Sequence, residues 1–152
     1  LPATGNRAQP PPGERMKRST GLLELSREHH SALKLALVAK KAANSAVEGV
    51  RVAAIAAVQA AMRSELGPHF QIEEDRLLPA LAAAGCAELV ARTLAEHQAL
   101  RAAAAALVNA QAENLQAFAE LLQAHVRFEE RELFEVAQQR LAPTVLAGLG
   151  CG

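Results

Sequence analysis

Apolar residues recur at steps of three and four along four stretches of the chain, the spacing that lines one face of an α-helix. The clearest stretch lies late in the sequence. Phe118, Leu122, His125, Glu129, Leu133 and Val136 share one stripe and predict a helix over about 113–141, ended by Pro143. The first stretch starts at Ser19-Thr20 as N-cap, runs to about residue 46, and carries Leu22, Leu25, His29, Leu33 and Ala36 on its stripe. The second, about 50–78, carries Val58, Met62, Leu66, His69, Glu73 and Leu77. Gly67-Pro68 interrupts it, and the missing proline N–H predicts a kink there. The third, about 86–108, carries Val90, Leu94, His97, Ala104 and Val108. Turn-forming residues separate the four: Asn44-Ser45 to Gly49, Pro79 to Gly85, and Asn109 to Asn114. The pattern predicts an all-α fold, an up-down-up-down antiparallel four-helix bundle over residues 19–141. Residues 1–18, with Pro10-Pro11-Pro12-Gly13, predict a flexible arm. Residues 142–152 form an apolar tail that either folds back on the bundle or frays.

Composition supports helix and narrows the partners. The chain has 152 residues, one domain by length, with Ala and Leu dominant and no Trp or Tyr. Sixteen basic residues balance sixteen acidic ones, a net charge of zero. Nothing in that balance points to nucleic acid or to an acidic membrane surface. No apolar run approaches the ~20 residues of a membrane span. Cys86 and Cys151 are far apart and form no CxxC spacing. A reducing, cytoplasmic setting is the simpler expectation.

The stripes contain residues that do not belong in an ordinary core. Each predicted helix buries one histidine, namely His29, His69, His97 and His125, and only His30 of the five falls on a polar face, with Arg27 and Lys34. The second and fourth helices add a carboxylate one turn after their histidine, in two matching runs: His69-Phe70-Gln71-Ile72-Glu73-Glu74 and His125-Val126-Arg127-Phe128-Glu129-Glu130. At 100° per residue the first Glu of each pair lies about 40° from its His and the second about 140° away. Glu73 and Glu129 are therefore the internal candidates, while Glu74 and Glu130 face solvent or a neighbouring helix. One core histidine is commonplace, but four of them beside two buried carboxylates need a shared charge partner. A metal supplies one. Imidazole and carboxylate without thiolate suit iron, manganese or zinc. Two carboxylates can bridge two ions and leave two imidazoles for each, a dinuclear site with positions open to small ligands.

These residues resemble the hemerythrin-like proteins with HHE cation-binding domains. The resemblance covers about residues 20–140 and rests on Glu28-His29, His69-x-x-x-Glu73-Glu74 with Leu77-Leu78-Pro79, Glu96-His97, and His125-x-x-x-Glu129-Glu130 with Leu133-Phe134. It implies a four-helix bundle around two non-haem iron ions joined by an oxo or hydroxo bridge, with manganese or zinc less suited. It also implies a small ligand: dioxygen, nitric oxide or peroxide. The chain departs from oxygen-carrying hemerythrins, whose third helix supplies a second His one turn on and whose last acid lies five residues after its His. Here Arg101 follows His97, with Thr93 in the preceding turn, and the four-residue spacing to Glu129 fits better, with Glu130 as the fallback. One imidazole fewer moves the expectation from transport toward sensing or peroxide chemistry. Arg101 either turns inward to steady an anionic ligand or extends to the surface. No Glu stands three residues before any His, so the Glu-x-x-His pattern of ferritin-like di-iron enzymes is absent.

Three functions compete on sequence. The first is a ligand-binding or sensing di-iron protein. The second is a di-iron enzyme with catalase-like or iron-oxidising activity. The third is a metal-poor helical interaction module.

Overall fold

The computed structural model describes residues 18–150. The expected arm lies outside them apart from its last residue, as does Cys151. Every regular element among the described residues is helical. Helix α1 spans Thr20–Ala43. Residues 48–83 form one long helical run: α2 (Glu48–Ala61), a π-helical turn (Met62–Leu66), α3 (Gly67–Ile72), a second π turn (Glu73–Leu77) and α4 (Leu78–Ala83). Helix α5 spans Ala87–Ala105. Helix α6 (Ala112–Phe128), a third π turn (Glu129–Leu133) and α7 (Phe134–Arg140) make the last long run. The short α8 (Pro143–Ala147) and one 3-10 turn, Gly148–Gly150, end the described chain. Glu48, Glu88 and Glu113 sit in first turns and Lys40 and Lys41 in a last turn, where each charge complements the helix dipole.

Helix α1 lies along α6 and against α2, while α5 packs on α6 and α4. The α1–α6 contact is a small-on-large fit. Ala32, Ala36 and Ala39 are buried on α1 against Leu115, Phe118 and Leu122 of α6. This corrects the expected α1 stripe. Leu33 is 38% exposed and Ala32 takes the buried position, because small residues allow the closer approach of the two backbones. The third stripe shifts similarly. Thr93, His97, Leu100 and Ala104 are buried, whereas Leu94 is 37% exposed and Val108 lies exposed beyond the end of α5.

Gly67-Pro68 does not break its helix. The π turn just before it absorbs the fault: the Gly67 N–H reaches back five residues to the Met62 carbonyl. A Cβ on residue 67 would collide with that carbonyl, so only glycine fits. The tail folds back. Leu146 and Leu149 are buried beside Leu22, Leu25 and Phe134, and α8 comes so close to α1 that residue 21 must lack a side chain to clear the Leu146 carbonyl.

Two apolar clusters fill the interior. One joins the Ala face of α1 to Val58, Leu66, Phe70, Leu107 and Phe118. The other joins Leu22 and Leu25 to Leu77, Leu81, Leu133 and Phe134. The buried His and Glu residues belong to neither cluster.

Candidate metal centre

All six residues singled out on the stripes come together. His29 comes from α1, His69 from α3, His97 from α5 and His125 from α6, while Glu73 and Glu129 each open a π turn. Both carboxylates are fully buried and none of the four histidines is more than 4% exposed. His29 Nε2 lies 2.9 Å from Glu129 Oε1, and His97 Nε2 lies 3.1 Å from Glu73 Oε1. His69 Nε2 is 3.4 Å from Glu73 and 3.7 Å from Glu129; His125 Nε2 is 3.3 Å from Glu129. Two groups able to hold a metal ion result, His29–His69–Glu73–Glu129 and His97–His125–Glu73–Glu129, with ligand atoms within 4.8 Å of one another in each. The two groups share both carboxylates.

The π turns position those carboxylates. In both, the carbonyl of the Glu accepts from an amide five residues on, Leu78 for Glu73 and Phe134 for Glu129. Each wide turn inserts one residue and rephases the helix beyond it, a feature frequent at functional sites. Beyond the turns Leu77-Leu78 and Leu133-Phe134 are buried.

Outside the six lies a ring of carboxylates that the stripes did not assign. Each histidine turns Nδ1 toward one of them: His29 toward Glu130 at 3.2 Å, His69 toward Glu28 at 3.3 Å, His125 toward Glu96 at 2.8 Å, and His97 toward Glu74 at the longer 3.6 Å. An Nδ1–H donated to a carboxylate fixes the ring and leaves Nε2 as the inward lone pair, the usual support of a metal-binding imidazole. Glu74 and Glu130 therefore face neighbouring helices, one of the two placements expected for them. Arginines hold the ring in turn. Arg101 donates two bonds to Glu74, at 3.2 and 2.6 Å. Arg18 bonds Glu130 and Glu135, and Arg92 bonds Glu96. Arg101 thus extends sideways to Glu74 rather than toward the centre. Thr93 donates to the Leu89 carbonyl within its own helix.

The electrostatics describe a cluster that holds protons when it holds no metal. Burial disfavours a charged imidazole, yet the Glu129 charge and bond outweigh it and raise His125 to about 10. His69 is likewise raised well above its ordinary value, against burial, chiefly by the Glu73 charge. His29 and His97 rise less, again against burial, through their carboxylate partners. Burial alone would raise Glu129, but the surrounding imidazoles, His125 first, hold it well below the usual carboxylate range. Glu130, despite its burial, falls to about 2 through the bond with His29.

The donor set fits a metal. His69 Nε2, His125 Nε2, Glu73 Oε2 and Glu129 Oε2 are buried without hydrogen-bond partners, and buried polar atoms left in this way are costly. Cations between the two carboxylates would satisfy all of them. A cavity of about 220 Å³ borders the cluster between α1 and the π turn at Met62–Leu66, and His29, His69 and His125 form its inner wall.

A helical protein with imidazoles and carboxylates gathered in its interior belongs to the class that holds metal between helices. The family model for the hemerythrin HHE cation binding domain matches residues 20–137, and the chain belongs to that family. Hemerythrin-like domains bind small ligands such as oxygen. No curated protein and no solved structure matches the chain. No helix among the described residues is long and apolar enough to cross a membrane.

Proposed function

We propose that the chain is a non-haem di-iron protein that binds or senses dioxygen, nitric oxide or peroxide. Its functional unit is residues 19–141, arranged as an up-down-up-down antiparallel bundle. His29 and His69 would hold one iron and His97 and His125 the other, with Glu73 and Glu129 common to both groups. The observation that carries this reading is the sharing of two fully buried carboxylates by both four-residue groups. Two ions beside one another, joined by an oxo or hydroxo bridge, would supply redox-active positions open to a small ligand. The chain's own part is to fix the imidazoles of His29, His69 and His125 in the ligating tautomer, to exclude bulk water with its two apolar clusters, and to leave a cavity alongside. Iron suits this nitrogen-and-oxygen donor set better than zinc or manganese if the centre is to respond to an oxidising ligand.

The test is to reduce the iron-loaded protein without air and titrate it with nitric oxide or dioxygen. A saturating change in the visible spectrum supports the reading; a spectrum indifferent to every one of these ligands contradicts it. Turnover on the same centre, catalase-like or iron-oxidising, is the second reading. It is favoured by Arg101, which pairs with Glu74 and leaves the His97 group with two imidazoles. Oxygen release from peroxide that disappears in His125→Ala would support it, and no release above that of free iron would exclude it.

A further inference from the structure

The cavity beside the centre has a chemistry of its own. Its inner wall includes His69 and His125, each at least 97% buried, each with an Nε2 that has no hydrogen-bond partner. Its outer edge carries the exposed residues Glu28, Ser31, Ser64 and Glu65. No lysine or arginine is among the residues that line it. Two carboxylates at the mouth and no basic side chain along the wall draw cations to the entrance, and the imidazoles at the inner end belong to the proposed centre.

We infer that this cavity is the route by which a divalent metal ion reaches the centre, entering between Glu28 and Glu65. The inference rests on the metal-centre reading above and adds a direction to it. Glu28 takes part at both ends, because it also accepts from His69 Nδ1 at 3.3 Å. A cation drawn to Glu28 is thereby one imidazole away from the shared carboxylates, since His69 Nε2 lies 3.4 Å from Glu73. Glu65 makes no hydrogen bond or ion pair with any of the six central residues and so acts on entry alone. The π turn preceding Gly67 creates the passage, since it widens the helix at the level of Ser64 and Leu66.

The test follows uptake of cobalt(II) by the metal-free full chain in a stopped-flow spectrometer, reading the visible bands of the bound ion. Glu65→Gln should slow uptake about fivefold at low salt, with the difference shrinking as ionic strength rises toward ~0.15 M. Ser31→Trp, which fills the mouth from an exposed position, should slow it more. Both variants should finally bind as much cobalt as the parent, and Glu88→Gln, an exposed acid elsewhere, should match the parent throughout. Parent-like uptake in both Glu65→Gln and Ser31→Trp, with full final binding, would overturn the route while leaving the centre intact. A parent chain that takes up no cobalt at all would overturn the centre itself, and the route with it.

Discussion

His29 and His97 occupy matching places in the two halves of the centre, each with Nε2 on a shared carboxylate and Nδ1 toward the second Glu of a pair. Their surroundings differ. Glu130, behind His29, is held by Ser26 and by Arg18, whose side chain is only 10% exposed and which also ties Glu135. Glu74, behind His97, is held by Arg101 alone among the bonds described, and that side chain is 37% exposed. The aromatic cover is reversed. Phe70 lies flat on His97 with ring centres 4.1 Å apart, while Phe134 stacks on His29 at 5.3 Å. The cavity reaches His29, His69 and His125 but not His97. His29 is braced by polar groups and open to the cavity; His97 is covered by an aromatic ring and loosely braced. Equal ligand sets thus do not make equal surroundings: the Nδ1 partners and the packing decide which imidazole borders the cavity and which is more firmly oriented.

The largest effect should come from breaking what the halves share. Glu129→Ala removes a carboxylate common to both groups, and metal content should fall from about two ions per chain to well below one. His97→Ala should cost one half only and leave about one ion. Metal analysis of the two variants separates these outcomes, and equal losses would mean that the halves are not distinct.

Acid should act next. In the metal-free protein the imidazoles are raised, His125 to about 10, so near neutral pH they carry protons that a metal must displace. The sign follows directly: affinity is weakest at low pH and rises as pH climbs toward the folded values, by up to ~tenfold per unit for each proton displaced. Competition with a coloured chelator between pH 6 and 9 measures the slope, and a flat profile would contradict the protonated resting state.

The outer carboxylates should show the asymmetry at smaller scale. Glu130→Gln should weaken binding by ~10–100-fold, the range for a lost partner of a ligating imidazole. Glu74→Gln should do less, because its contact with His97 is already long at 3.6 Å. Smaller again, Arg18→Gln should exceed Arg101→Gln, since the buried guanidinium loses more when its partner carboxylate is left behind. A reversed order in either pair would mean that aromatic packing outweighs the Nδ1 partner.

Much of the gathering of side chains was readable from spacing. The steps that joined His125 to Glu129 and Leu133 put them on one face, and the same reading on three other stretches brought His29, His69, Glu73 and His97 to the same interior. The choice of Glu73 over Glu74 and Glu129 over Glu130 followed from the angle of one residue on a helix. What spacing cannot supply is whatever depends on a neighbour. Ala32 displaced Leu33 because α6 comes close. Glu28 and Glu96 each stand directly before a core histidine, but the histidine each one serves lies on another helix. The π turns escaped because a five-residue ring has no composition of its own.

The proposed centre is two metal ions held by six buried residues. Its most direct test is metal analysis of protein purified in air, together with the visible spectrum and the melting temperature before and after chelation. About two irons per chain, charge-transfer bands of a bridged pair, and a melting point lowered by several degrees on removal of the metal are the predicted result. Less than one metal ion per chain, with melting unchanged by chelator, would contradict it.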